Sequence, residues 1–328
     1  AGHHWRQVLD SAHAAGGQPD VPADHHRPIP LHHRSVVLLV EEHAGLADGQ
    51  KILELGCGWG SLSLWMAERY PGSSITAVSN SHGQRRHIEG KAAARGLTNL
   101  TVITCDMNDF KPAEPGGFDR IVSVGMFEHV GRAQFETFFE AAARMLADDG
   151  VMLLHTIGRF GGPGTTDAFT RKYVFPGGYI PALSETLAAS EKSRLIAADV
   201  ETLRLHYART IHAWYANCIA NRAAIIALYD ERFFRMWTFY LAGAATVFEH
   251  GGMCNYQIQY IRTRRALPIT RDYLIGSSGG SPDDPGRLRG GRDLHLPATG
   301  RLRLRQPQPD RGLRVRRGRT PGGRGRVD

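Results

Sequence analysis

The sequence has few cysteines and no long apolar run. Its four cysteines are Cys57, Cys105, Cys218 and Cys254, and none of them forms a CxxC pair. This spacing argues against a thiolate zinc site and a disulfide framework, so we expect a reducing cytoplasm. No run of about 18 apolar residues and no signal-peptide pattern is present, and we therefore predict no transmembrane segment.

Lysine is absent from residues 276–328, although that segment carries 13 arginines against five aspartates. This excess accounts for the whole formal charge of +8, so residues 1–275 are neutral overall. A nucleic-acid-binding interpretation would rest on this tail alone, and the tail lacks the aromatic residues that usually accompany such binding. We expect no nucleic-acid partner.

Both ends of the sequence lack apolar periodicity. Residues 1–35 hold seven of the 16 histidines, partly as adjacent pairs. Neighbouring side chains rarely converge on one ion, and no cysteine or carboxylate cluster accompanies them, so we predict no metal site. Residues 276–328, rich in Arg, Gly and Pro, are predicted to be disordered. GC-rich codons that are read out of frame give a similar composition. For each end, two interpretations therefore stay open: a genuine segment and a frameshifted one.

Strand and helix patterns alternate between residues 36 and 275. This alternation predicts one α/β domain with a doubly wound, parallel sheet and helices on both faces. Residues 160–252 are richer in helix and in aromatics, which is typical of a substrate-binding insert. The predicted strands are 51–55, 75–79, 101–104, 119–124, 151–155 and 257–262. The predicted helices are 61–70, 84–95 closed by Gly96, and one around 135–146 that ends by Gly150.

A glycine motif, Glu54-Leu-Gly-Cys-Gly-Trp-Gly60, follows the first strand and opens a helix. It lacks the GK[ST] ending of a phosphate-binding loop. A dinucleotide oxidoreductase would want a carboxylate closing the second strand, and none is there. The motif therefore favours S-adenosylmethionine, held by Gly56, Cys57, Gly58 and Gly60.

The ends of the next two strands supply further cofactor candidates. Ser79, Asn80 and Gln84 are placed where ribose hydroxyls would lie. Asp106 could accept a hydrogen bond from the adenine amino group, with Met107 against the ring and Asn108 in the same loop. Asp106 taken singly is equally well a helix cap. Taken in order after a GxGxG turn, these residues predict a methyltransferase.

Several motifs resemble the cyclopropane-fatty-acyl-phospholipid synthases and the related mycolic-acid cyclopropane synthases. The resemblance implies a seven-stranded, Rossmann-like class I methyltransferase fold with a helical substrate-binding insert. It also implies transfer of a methyl(ene) group from S-adenosylmethionine to a cis double bond of a phospholipid acyl chain, which forms a cyclopropane. A cytoplasmic location, peripheral at the inner membrane surface, and a possible homo-oligomer follow. The motifs are Arg-Ile-Val-Ser-Val-Gly-Met-Phe-Glu-His-Val-Gly at 120–131, Leu-Leu-His-Thr-Ile-Gly at 153–158, Lys-Tyr-Val-Phe-Pro-Gly-Gly at 172–178, Tyr-Ala-Arg-Thr-Ile-His-Ala-Trp at 207–214 and Pro-Ile-Thr-Arg-Asp-Tyr at 268–273.

The resemblance also implies the catalytic residues. Glu128, His155 and Tyr207 match the residues that hold a bicarbonate ion serving as base in the family, and Ile157 would line that anion site through its backbone. Two of these positions also fit a ligand site without the resemblance, because Glu128 follows the fourth strand and His155 ends the fifth. Both are thus expected at the carboxyl edge, where doubly wound sheets bind ligands. His129 is interpreted as structural.

One departure from the family keeps alternatives open. Family members carry a Tyr-Ser-Cys motif upstream of the glycine motif, near Asp20 in this numbering, and this chain has no cysteine before Cys57. A catalytically impaired, cofactor-binding homologue is therefore one alternative, and a small-molecule N-methyltransferase of the same fold is another. The preferred acyl chain and headgroup, and the choice between a cyclopropane and a branched methyl product, also stay open.

Overall fold

The computed structural model describes residues 40–107, 109–112 and 115–275. The predictions for residues 1–35, for Asn108 and for residues 276–328 lie outside these residues. So does the position near Asp20 where the family motif is missing.

A seven-stranded sheet forms the centre of the described chain, with the strand order β3-β2-β1-β4-β5-β7-β6. Strands β1 to β5 are parallel, whereas β7 is antiparallel to both of its neighbours. The prediction of a seven-stranded doubly wound fold is confirmed. The prediction of a purely parallel sheet is wrong at β7, because apolar periodicity does not show the direction of a strand. The strands are β1 Lys51–Leu55, β2 Ser74–Ser79, β3 Leu100–Thr104, β4 Phe118–Val124, β5 Leu146–Arg159, β6 Ile196–Leu203 and β7 Met253–Ile261.

Helices pack on both faces of the sheet, and residues 40–44 are also helical. Strand residues alternate between the faces: Ile121 of β4 packs with phenylalanines of α3, whereas Val122 packs with Met66 of α1. This alternation fixes the two-sided core expected of such a sheet. The helices are α1 Ser61–Arg69, α2 His82–Ala94, α3 Phe135–Met145, α4 Leu183–Lys192, α5 His206–Ala220, α6 Arg222–Leu228, α7 Glu231–His250 and α8 Asp272–Ile275.

Two helix ends differ from the predicted ones. Helix α2 begins two residues before Gln84 because the Ser81 hydroxyl accepts the Gln84 N–H at 3.4 Å, which caps the helix. Helix α3 ends at Met145, well before Gly150, because Leu146 is extended and pairs with Phe118 of β4. Strand β5 is correspondingly longer than predicted.

The span 160–252 is mostly helical, but it is not a purely helical insert. Residues Ile196–Leu203 within it form strand β6, which lies at the edge of the described sheet and pairs there with β7. The sequence did not predict this strand. Most of its residues are at least partly exposed, and its register shifts between Ala197 and Asp199, so it shows no clear apolar alternation. The helices α5 and α7 pack together through an apolar cluster that includes Ile211, Trp237 and Phe248.

Candidate active site

The glycine motif lies at the carboxyl end of β1, beside β4, where the strand order reverses. Gly56, Gly58 and Gly60 have φ values of +81°, +55° and +84°, a region that favours glycine. A Cβ atom on Gly56 would stand 2.3 Å from Met126 Cγ, so this glycine permits a close packing contact. A Cβ atom on Gly58 would meet nothing within 4 Å. The turn therefore presents its backbone to open space at Gly58, as a ligand cradle requires.

Two side chains of this motif were not among the predicted site residues. Glu54 is buried, accepts a hydrogen bond from the Ser63 hydroxyl, and has its pKa raised to about 7 by burial. The Trp59 ring stands edge-on to His87, with centroids 5.1 Å apart. Within the described residues the buried indole N–H of Trp59 has no hydrogen-bond acceptor. Both residues belong to the contiguous motif, which is the signal that could have pointed to them.

The residues predicted to hold the ribose and adenine lie on adjoining loops. The Cys105 N–H donates to the Ser79 carbonyl oxygen at 3.0 Å, which joins the ends of β2 and β3. Asn80 and Asp106 are exposed at these ends, and Met107 is partly buried against the core. The buried Ser79 hydroxyl donates to Gln84 Oε1 at 2.6 Å. Ser79 therefore holds Gln84 in place and does not point its donor outwards.

Glu128 lies in a short 3₁₀ segment, Phe127–His129, just beyond β4. Its side chain is buried, and its Oε1 atom accepts the Ile157 N–H at 2.5 Å. Its backbone carbonyl accepts the Tyr179 N–H at 2.9 Å. Because Ile157 belongs to β5, the carboxylate is fixed against the carboxyl end of the sheet.

Tyr207 reaches the same region from the start of α5. Its ring packs against those of Trp214 and Phe248, at centroid distances of 5.8 and 5.0 Å. Burial raises the pKa of Tyr207, and the nearby Tyr240 and Glu128 raise it further. The phenol therefore keeps its proton at neutral pH and is available as a hydrogen-bond donor. The structure thus brings Glu128, Ile157 and Tyr207 together.

His155 is buried two residues before Ile157, between two amides of β7. The Asn255 Nδ2 atom lies 3.2 Å from His155 Nε2, and the Gln257 Nε2 atom lies 3.0 Å from His155 Nδ1. Burial, together with His43, lowers the pKa of His155 to about 4, so the imidazole is neutral at pH 7.

A neutral imidazole has one donor and one acceptor nitrogen, so two amide NH₂ groups cannot both donate to it. One of the two amides must turn its oxygen to the ring, since amide orientation is an assignment. The oxygens available for this, Asn255 Oδ1 and Gln257 Oε1, form no other hydrogen bond within the described residues. His155 is therefore clamped on both sides in a single tautomer.

These amides belong to a buried polar row on one face of β7, formed by Asn255, Gln257 and Gln259. The Gln259 Nε2 atom donates to the His43 carbonyl oxygen at 2.6 Å, and its Oε1 atom accepts the Tyr273 hydroxyl at 2.7 Å. This row was not predicted from the sequence. Its alternation of polar and apolar residues is typical of a strand with one face in solvent, and only the pairing with β5 shows otherwise.

No described helix is long and apolar enough to cross a membrane. The described residues contain no group of three or more His, Cys, Asp or Glu side chains arranged to hold a metal ion.

A cavity of about 400 Å³ is lined by Pro115, Gly116, Arg144, Asp148 and Arg262. It lies beside the first residues of β4 and β5. Since Glu128 and the glycine motif lie at the opposite ends of the strands, this cavity has no part in the site.

The chain matches a family model and is similar to known proteins over most of the described residues. The model of a family described as mycolic acid cyclopropane synthetase matches residues 34–258. The cyclopropane-fatty-acyl-phospholipid synthase of Escherichia coli K12 is 34% identical over 224 residues, which cover 68% of this chain and 56% of that protein. The chain thus spans little more than half the length of this relative.

Two solved structures share both fold and sequence similarity with the chain. Mycolic acid cyclopropane synthase CmaA1, complexed with SAH and CTAB, has a TM-score of 0.64 and 28% identity over 74% of this chain and 89% of its own. Coclaurine N-methyltransferase, bound to N-methylheliamine and SAH, has a TM-score of 0.62 and 26% identity over 73% of this chain and 74% of its own.

Proposed function

Because the chain belongs to the mycolic acid cyclopropane synthetase family, we propose that it is an S-adenosylmethionine-dependent enzyme acting on the cis double bond of unsaturated acyl chains in phospholipids, with a cyclopropane as product. The observation that carries this proposal is the buried Glu128 carboxylate, held by the Ile157 N–H beside Tyr207. An anion in such apolar surroundings suits a reaction that develops positive charge on a hydrocarbon chain.

The glycine motif and its neighbours fit S-adenosylmethionine, which supplies an electrophilic methyl group when bound. The open space at Gly58 gives a ligand room against the backbone. Gln84, fixed by Ser79, and the exposed Asn80 and Asp106 supply polar groups at the ends of the next strands. The CmaA1 structure holds SAH on a related fold, which supports the same use here.

Glu128 has two tasks in the proposed reaction. Its negative charge stabilises the carbocation that forms when a methyl group adds to the double bond, and low local polarity strengthens that effect. Ring closure then releases a proton from the added methyl group, and Glu128 accepts it in the proposed reaction. The phenol of Tyr207, which keeps its proton, lies close enough to Glu128 to respond to its charge. The aromatic cluster of α5 and α7 limits the access of water, which would otherwise capture the cation.

Bicarbonate, the base that the family resemblance implies, does not fit the donors as they stand. The Ile157 N–H that would hold it is taken by Glu128, and both ring nitrogens of His155 face amides of β7. The proton is therefore assigned to Glu128 and not to bicarbonate.

A test of this proposal expresses the full chain in a bacterial host that lacks its own synthase and analyses the lipids by mass spectrometry. We expect monounsaturated acyl chains to gain one CH₂ unit, and the gain to disappear with Glu128→Gln. Unchanged lipids, from a protein that still binds S-adenosylmethionine, would contradict the proposal.

The likeness to coclaurine N-methyltransferase makes a small-molecule N-methyltransferase the second candidate. An amine acceptor needs no buried anion to stabilise a carbocation, so Glu128→Gln would then affect turnover much less. Supplying amine substrates and unsaturated phospholipid in parallel, with labelled cofactor, separates the two candidates by which product carries the label.

A further inference from the structure

The helical insert carries two exposed aromatic side chains, Tyr173 and Phe239, that both contact the partly buried Phe169. Phe239 of α7 is 66% exposed, and Tyr173 of the π-helical turn Thr170–Val174 is 38% exposed. Both rings pack against Phe169, with centroid distances of 5.2 Å from Phe239 and 5.5 Å from Tyr173. Exposed apolar groups that are contiguous mark an interaction surface more often than isolated ones do.

Exposed cationic side chains lie on the same two segments as these rings. Lys172 Nζ lies 5.0 Å from the Tyr173 ring centroid, and Arg235 precedes Phe239 by one turn of α7, on the same face. We call the set the aromatic–basic patch; it consists of Phe169, Arg171, Lys172, Tyr173, Arg232, Arg235 and Phe239.

The four cations of the patch, Arg171, Lys172, Arg232 and Arg235, form no salt bridge with any carboxylate that the structure describes. Three acidic residues lie nearby along the chain, and all are engaged. Asp167 accepts the Thr170 N–H at 2.9 Å, Asp230 accepts the Phe233 N–H at 2.6 Å, and Glu231 pairs with Arg222 at 2.6 Å. The patch therefore presents a net positive charge around an apolar centre.

The patch is continuous with the Glu128 site. Phe175 directly follows the π-helical turn, and its ring lies 5.9 Å from Tyr240 and 5.6 Å from His129. His129 adjoins Glu128, and Tyr240 is near enough to Tyr207 to raise its pKa. Phe169, Phe175, Tyr207 and Tyr240 all pack against the apolar cluster of α5 and α7. A continuous set of apolar contacts thus connects the patch with the residues beside Glu128.

We propose that the aromatic–basic patch docks on an anionic phospholipid bilayer and that acyl chains enter the Glu128 site through it; the second part rests on the proposed function. Aromatic rings are favoured at the membrane interface, and lysine and arginine are attracted to anionic headgroups. A bilayer offers both partners at once: a negative surface for the four cations and an apolar interior for Phe239 and Tyr173.

The test measures co-sedimentation of the full chain with vesicles of phosphatidylcholine containing phosphatidylglycerol. Two double variants are compared: Tyr173→Ser with Phe239→Ser, and Lys172→Glu with Arg235→Glu. Each is expected to lower the vesicle partition coefficient by about tenfold or more. At high salt the wild type should also bind the vesicles more weakly, so the difference in vesicle binding between it and the charge-reversed variant should disappear. Matched controls are Ile269→Ser, on a fully exposed apolar residue, and Arg265→Glu, on an exposed cation outside the patch.

Turnover with detergent-dispersed phospholipid is measured beside vesicle binding. Absence of wild-type turnover would contradict the proposed function, whereas the vesicle partition coefficients test the docking proposal, so the two failures give different results. An unchanged partition coefficient in both patch variants would overturn the proposal and assign vesicle binding elsewhere, for instance to the arginine-rich residues 276–328. A change of oligomeric state without lipid in the patch variants, and none in vesicle binding, would assign the patch to a second copy of the chain.

Discussion

The two halves of the candidate site are built in different ways. On the cofactor side, backbone conformation makes the site: three glycines with positive φ lie within five consecutive residues, at the end of one strand. On the acyl side, side chains make the site. Glu128, Ile157 and Tyr207 come from three separate elements, and the amides that clamp His155 lie about a hundred residues further on. A local motif therefore specifies the first half, whereas the second depends on the whole sheet being paired correctly.

The largest expected effect comes from the acyl side. Glu128→Gln keeps an oxygen that can accept the Ile157 N–H, but it removes the negative charge. We expect turnover to fall by about 10²–10³-fold, with S-adenosylmethionine binding and thermal stability nearly unchanged. Initial rates with unsaturated phospholipid, calorimetric titration of the cofactor and thermal melts measure these three quantities. The control Glu140→Gln alters an exposed carboxylate of α3. Near-wild-type turnover in Glu128→Gln would remove Glu128 from the reaction.

Alanine substitutions at Gly56 and Gly58 test the cofactor side of the site. Gly56→Ala combines a positive φ with a Cβ atom 2.3 Å from Met126, and we expect a loss of about 3 kcal/mol in the free energy of unfolding. Gly58→Ala has the positive φ but no close neighbour, so about 1 kcal/mol is expected.

Cofactor affinity separates ligand contact from backbone strain in this series. The Cβ atom of Gly58→Ala would fill the open space at the cradle, so we expect the cofactor Kd to rise about tenfold. Gly96→Ala is the matched control, with a φ of +67°, no neighbour within 4 Å and a position after α2. Equal Kd values for Gly58→Ala and Gly96→Ala would show that the cofactor does not lie against Gly58.

The buried imidazole on the acyl side predicts a pH dependence of stability. The pKa of His155 is lowered from 6.5 to about 4 in the folded chain, so the unfolded chain binds more protons between these values. Its contribution is therefore complete above about pH 6.5 and is lost as the pH falls towards 4, by up to about 3 kcal/mol.

Urea unfolding at pH 7 and pH 5 measures this loss of stability. His155→Gln should reduce the loss, whereas His250→Gln, at an exposed position, should leave it unchanged. A wild-type pH dependence that persists unchanged in His155→Gln would assign it to other groups.

The smallest effect is expected from the amide row of β7. Gln257→Leu removes one partner of His155 but also an amide oxygen that makes no hydrogen bond, so we expect a loss of about 1 kcal/mol in stability. Gln259→Leu removes the hydrogen bonds with His43 and Tyr273 and should cost more, about 2 kcal/mol. Denaturant midpoints measured side by side decide the order, and the reverse order would contradict the assigned hydrogen bonds.

The sequence predicts the features that depend on local motifs better than those that depend on long-range strand pairing. Strands β1 to β5 and the glycine turn were predictable, because their residues form contiguous apolar runs and a local motif. The edge strand β6 was not, since its exposed residues lack alternation. Asn255 and Gln257 could not be assigned to the site either, because strand pairing, which the sequence does not display, decides whether a polar residue of β7 faces solvent or His155.

The central claim is that the Glu128 site transfers a methyl group to an acyl chain and closes a ring. The most direct test incubates the purified full chain with S-adenosylmethionine carrying a CD₃ group and with vesicles of monounsaturated phospholipid, and then analyses the acyl chains by mass spectrometry. We predict a CD₂ unit in the product, because ring closure removes one deuteron from the added group, and labelled lipid lowered by about 10²–10³-fold with Glu128→Gln. Retention of the complete CD₃ group would contradict ring closure, and label found only on amines would contradict the acyl chain as acceptor.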